Sequence, residues 1–157
     1  MPAAERARYI ATLREFPARL EALVLPLSDE QLDQRVAENE WSPRQVVHHL
    51  ADSHMGANFR FRLPLDEDNP MVPTYNQEAW ARHSDYRLPL EPSLLILRGL
   101  HQRFVVLLEA LTEEQWKRPV THPEYGTVDV EDIARRYANH CDNHIRQINA
   151  VGEKFGW

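Results

Sequence analysis

His140 and His144 stand four residues apart in the stretch His140-Cys141-Asp142-Asn143-His144. On a helix, residues at that spacing lie one above the other, so two imidazoles can share one divalent metal ion. Tyr137, Cys141 and Ile148 bracket the pair and mark its face as inward. A buried imidazole costs free energy unless its nitrogens find partners. The pair alone is a weak signal, because many such pairs are surface residues. Position 141 is Cys, so the H-E-x-x-H metalloprotease pattern is absent.

A third ligand must come from another segment. The run His48-His49-Leu50-Ala51-Asp52-Ser53-His54 offers three more histidines. His49 lies between Val46 and Leu50 on an apolar stripe and is expected to face the pair. His48 is turned about 100° from it, and His54 roughly 140° the other way. Neither is expected to matter for metal binding. His49, His140 and His144 together give three nitrogens and leave one coordination position open, the pattern of catalytic rather than structural sites. The competing reading is three core histidines, each satisfied by backbone or carboxylate. Cys141 points about 100° away from His140 and reads as a small apolar packing residue.

These residues need helices to position them. Ile10, Leu13, Phe16, Leu20, Leu23 and Val24 recur at steps of three and four, predicting a helix over 2–25 that Pro17 should kink or shorten. Ser28 with Gln31 reads as a capping box for a short helix over 29–34. Ser42, Pro43 and Gln45 give a strong start for a second long helix, expected to run to about Leu63, before Pro64. Residues 64–92 are proline-rich and without period, a long connection with one helical turn near 76–82. A third helix is expected over 91–111, with Leu94, Leu97, Phe104, Leu108 and Leu111 inward. Thr112 and Gln115 box another short turn. Residues 118–127 read as irregular, and a fourth helix is expected over 128–151.

Four long amphipathic helices with long connections after the second and third predict an all-α four-helix bundle, one domain over 1–157, with little or no sheet. The chain is long enough to build a core without disulfides, and its one cysteine forbids an internal one. No apolar run approaches the ~20 residues that span a bilayer, so no membrane association is expected and the expected location is cytoplasmic. Eighteen basic against twenty-four acidic residues give a formal charge of −6, which argues against nucleic acid as a partner.

The stretch from Trp41 to His54, Trp-Ser-Pro-Arg-Gln-Val-Val-His-His-Leu-Ala-Asp-Ser-His, resembles helix two of the DinB-like metalloproteins, and more narrowly their YfiT branch. Arg60-Phe61, Leu100-His101, His122-Pro123, Tyr137 to His144 and the closing Gly156-Trp157 extend the likeness over nearly the whole chain. The resemblance implies an antiparallel helical bundle, homodimers, and metal ligation by His49, His140 and His144, with Zn2+ or Ni2+ as the expected ion. It also implies two chemistries at one site. One is transfer of a low-molecular-weight, bacillithiol-type thiol to an electrophile, favoured because the resembling branch includes thiol transferases and no clear general base stands in the sequence. The other is hydrolysis by metal-activated water. A small molecule is the expected substrate. A non-catalytic metal clamp between helices is the reading from another class.

Three further residues are candidates for catalysis. Asp52 could serve as a base or orient a ligand imidazole, or be a solvated helix charge. His101 sits between Leu97 and Phe104 on an inward stripe, either lining the site or satisfied in the core. Arg60 could meet a substrate carboxylate bidentately, or be a surface charge. Tyr75, Trp80 and His122 lie in the connections that could overhang the metal, and Trp41 reads as a packing anchor.

Overall fold

The computed structural model describes residues 2–157. Four long helices dominate: α1 (Ala3–Val24), α3 (Pro43–Asp66), α5 (Glu91–Glu109) and α7 (Val130–Phe155), with single-turn helices α2 (Asp29–Leu32), α4 (Gln77–Trp80) and α6 (Glu113–Trp116) between them. The three expected capping boxes form, at Ser28/Gln31, Ser42/Gln45 and Thr112/Gln115. Each side chain satisfies a backbone N–H that the first helical turn leaves without a partner. Asp129 caps α7 by accepting from the Asp132 amide, and Gly156 ends it in the left-handed conformation at φ 77°.

α1 packs against α5 and α7, and α3 packs against the same two helices. The helices consecutive along the chain, α1 and α3, therefore sit diagonally across the bundle. Paired contacts give the directions. Arg14 meets Glu109 and Glu21 meets Arg98, so α1 and α5 run oppositely. His49 meets His144 while Arg60 meets Tyr137, so α3 and α7 also run oppositely. Arg6 meets Glu131 and Arg19 meets Asp142, so α1 and α7 run in the same sense. His48 meets Ser93 and His54 meets His101, giving α3 and α5 one sense too. The bundle is antiparallel across two seams and parallel across the other two. A parallel neighbour requires the chain to return the length of α3, about 1.5 Å for each of its residues. That return is the proline-rich connection over 67–90.

Three expectations on local structure need correction. Pro17 does not shorten α1, which runs unbroken past it with the proline ring buried. Pro64 does not stop α3, which continues to Asp66. There Arg118 donates to the carbonyls of Pro64 at 2.6 Å and Glu67 at 2.9 Å, satisfying groups that a helix end exposes. Residues 119–129 are not irregular but form an antiparallel hairpin, β1 (Pro119–His122) with β2 (Gly126–Asp129). Thr121 exchanges backbone bonds with Pro70 and Val72, tying the hairpin to the connection after α3. The core runs through all four long helices, with Leu13, Phe16, Leu20, Leu50, Phe61, Leu97, Leu108, Ile133 and Ile148 fully buried. No helix among the described residues is long and apolar enough to cross a membrane.

Candidate metal centre

The antiparallel seam between α3 and α7 brings His49 to the His140–His144 pair. The ring nitrogens converge: His49 Nε2 lies 3.3 Å from His140 Nε2, which lies 3.0 Å from His144 Nε2. Nitrogens held at about 2.0–2.1 Å by a tetrahedral ion lie roughly 3.3–3.4 Å apart, so the His49–His140 spacing matches what one ion demands and the His140–His144 spacing is a few tenths of an ångström shorter. One ligand atom from each residue falls within 4.8 Å of the others.

The far side of each ring is also engaged. His144 Nδ1 donates to Gln147 Oε1 at 2.7 Å, leaving an Nε2 lone pair directed inward. His49 Nδ1 meets the Tyr75 hydroxyl at 3.3 Å. His140 Nδ1 faces His54 Nε2 at 3.2 Å. Trp41 covers His49 with ring centroids 4.6 Å apart, so its packing role is directly on a triad ring. Burial and then the neighbouring His144 push His49 down to about 3. Burial drives His140 well below the ordinary imidazole value, and lowers His144 as well. All three rings are held neutral, the form that ligates metal.

His48 and His54 are both buried, but they do different things. His48 Nε2 donates to the Leu88 carbonyl at 3.0 Å, and its Nδ1 accepts from Ser93 at 2.7 Å. It is a satisfied core histidine, as its helical phase implies. His54 is fully buried and reaches the far side of His140, contrary to the expectation that it is irrelevant to the site. The reason is that α3 contacts both α5 and α7, so its buried arc is wide enough to hold residues 140° apart.

Of the three catalytic candidates, the structure sends each to a different place. Asp52 accepts from the Tyr86 hydroxyl at 2.5 Å and orients none of the triad rings through a hydrogen bond. Burial raises its pKa, with the Tyr86 bond opposing. His101 is fully enclosed and touches His54, one ring removed from His140. Arg60 alone borders the open space beside the triad, donating to Tyr137 Oη at 2.5 Å and to the Pro73 carbonyl at 3.1 Å.

That open space is a cavity of about 210 Å³ whose walls include Ser53, Arg60, His122, Arg136, Tyr137 and His140. His122 accepts the Glu124 amide at its Nδ1, 3.1 Å away, so the neutral ring carries its proton on Nε2. It stacks on Tyr125 with centroids 3.6 Å apart. Arg136, which the sequence reading did not single out, lies over the Tyr125 ring, its guanidinium carbon 3.9 Å from the centroid. A larger cavity of about 880 Å³ lies elsewhere, along Asp29, Asp33, Arg44 and Tyr86, and includes none of the triad.

Comparison with known proteins places this geometry in context. A relative from Bacillus subtilis, YfiT, is 37% identical over 156 residues, covering 98% of this chain and 87% of its own. Relatives from Geobacillus thermodenitrificans (39% over 152 residues, 95% and 85% covered) and Oceanobacillus iheyensis (36% over 149 residues, 95% and 87% covered) carry the same provisional name, metal-dependent hydrolase. The solved YfiT structure superposes with a TM-score of 0.95 at 36% identity, covering 100% of this chain and 91% of that one. It is described as a probable metal-dependent hydrolase with an unusual four-helix bundle topology. A second solved structure, a DinB-like protein from Bacillus subtilis, shares the fold with a TM-score of 0.62 at 16% identity, covering 96% of this chain and 93% of that one. Residues 12–148 match the family model of the DinB superfamily, and the chain belongs to that superfamily, in the branch that includes YfiT.

Proposed function

We propose that this protein is a metal-dependent enzyme acting on small molecules, with the ion held by His49, His140 and His144, and that it transfers a small thiol to an electrophile. Convergence of three neutral imidazole nitrogens at 3.0 and 3.3 Å supports the metal. The provisional names of the relatives support metal dependence. A divalent ion such as Zn2+ or Ni2+ there supplies Lewis acidity, which lowers the pKa of a thiol or a water in its open position.

The lining of the adjacent cavity carries the choice of reaction. Arg60, Arg136 and the Nε2–H of His122 face it as hydrogen-bond donors, and Glu124 is the one carboxylate in its lining. Asp52, the carboxylate one turn beyond His49 on α3, is bound by Tyr86. A site with more donors than bases suits a nucleophile that ionises on coordination, which a thiol does outright. Donors around the cavity suit an electrophile bearing oxygen acceptors or a leaving anion. The thiol sulfur bonds to the electrophilic carbon, the carbon–leaving-group bond breaks, and the thiol proton passes to solvent. Hydrolysis is the second reading, favoured by the relatives' names.

The test is turnover of a model electrophile by zinc-loaded protein, with and without a small thiol. Turnover that needs both metal and thiol supports transfer. Turnover that needs metal alone replaces it with hydrolysis. The homodimer implied by resemblance is part of this proposal, and light scattering that gives a monomer at micromolar concentration removes it.

A further inference from the structure

We propose that Pro17, His101 and His54 form a buried hydrogen-bond relay that fixes the tautomer and orientation of His140 and thereby directs its Nε2 lone pair at the metal position.

The relay begins with a missing donor. In α1 the Leu13 carbonyl would ordinarily accept from the amide of residue 17, but residue 17 is proline and has no N–H. The freed carbonyl is taken by His101 Nδ1, 2.6 Å away. A carbonyl can only accept, so His101 carries its proton on Nδ1. A neutral ring with Nδ1 protonated presents Nε2 as an acceptor. His54 Nδ1 stands 2.7 Å from that atom and must donate. His54 Nε2 is then an acceptor, and His140 Nδ1, 3.2 Å away, must donate to it. His140 Nε2 is left with its lone pair, facing the Nε2 atoms of His49 and His144.

Every hydrogen bond in this chain has one possible polarity, because its first acceptor is a backbone oxygen. Neutrality of the rings follows from burial. His101 is 1% exposed and His54 fully enclosed, with Phe16 lying against both rings. Burial holds His101 down at about 4 and His54 well below the ordinary range. The same polarity leaves no nitrogen of His54 or His101 for a second ion beside Cys141, although those three groups are close enough to suggest one. His101 and His54 are therefore positioning residues, acting through His140.

Long-range proton–nitrogen correlation spectra of 15N-labelled, metal-free protein read the tautomers directly. The expected result is Nδ1 protonated and Nε2 bare for His101, His54 and His140. A His140 ring protonated on Nε2 would overturn the relay. Calorimetric titration with zinc should give one ion per chain, and two would overturn it. His101→Phe keeps the ring volume and removes both polar atoms. It should weaken zinc binding about 10–100-fold, the range typical when an outer partner of a ligand is lost. His101→Gln keeps an acceptor toward His54 and should recover part of that loss. Folded His101→Phe protein that binds zinc within twofold of the parent would refute the proposal. If that variant fails to fold, the parent spectra decide the question by themselves.

Discussion

His54 Nε2 lies 3.2 Å from His140 Nδ1, so the two histidines on opposing helices meet ring to ring on the side away from the metal position. This contact joins the triad to the interior of the bundle. It changes which histidines matter. His54→Ala should now weaken zinc binding about 10–100-fold, where helical phase alone suggested no effect. Calorimetry of the folded variant checks it.

Alanine at His49, His140 or His144 should weaken metal affinity by more than about 100-fold, beyond the loss typical of outer partners. His48→Ala should leave metal affinity unchanged but lower stability by about 1–3 kcal/mol, because the Leu88 carbonyl and Ser93 hydroxyl lose their buried partner. Urea denaturation alongside zinc titration separates the two effects. Loss of metal in His48→Ala with retention in His49→Ala would reverse the assignment.

Pro17→Ala should stabilise α1 by much less than the ~3 kcal/mol that removing an interior proline ordinarily returns. The Leu13 carbonyl is already satisfied by His101, and the buried proline ring would leave a gap. A gain near 3 kcal/mol by urea denaturation would contradict this.

Acid should destabilise the metal-free protein between about pH 6.5 and pH 3–4. His49 is held at about 3 and His101 at about 4 in the folded state, against about 6.5 when unfolded. The unfolded chain binds more protons across that window, so stability rises with pH through it and is complete above it. The urea midpoint followed from pH 8 to pH 4 should fall below pH 6.5. The ligands stay neutral in the folded protein, so zinc release belongs lower on the pH scale than the free imidazole value suggests. Zinc release centred at pH 6.5 in protein that stays folded would contradict the burial argument.

Arg60→Ala should raise KM for a substrate bearing an acceptor group more than it lowers kcat, because Arg60 borders the cavity. Asp52→Asn should change kcat little, because its partner is Tyr86. A large kcat loss in Asp52→Asn, with the metal retained, would restore Asp52 as a base.

Chelation should abolish activity and leave most helicity, because the apolar core spans all four long helices without the metal. A structural clamp predicts the reverse, with the helical circular dichroism signal collapsing as metal is removed.

Much of this molecule is written locally in its sequence. The stripes of α1, α3, α5 and α7 and the three capping boxes depend on residues three or four apart, and the structure reproduces them. The His140–His144 pair is local in the same sense, and His49 falls on the apolar stripe of its own helix. Hairpin residues 119–129 escaped because Thr121 gains its partners from Pro70 and Val72, far away in sequence. The contact of His54 with the triad escaped for a deeper reason. Periodicity describes one helix about its own axis, but α3 is buried along two seams, and only the packing decides which seam each residue enters. Asp52 was ambiguous until Tyr86 was placed beside it. The proline looked like a defect in α1 because sequence shows the amide it lacks, whereas only the folded bundle shows the imidazole that takes the freed carbonyl.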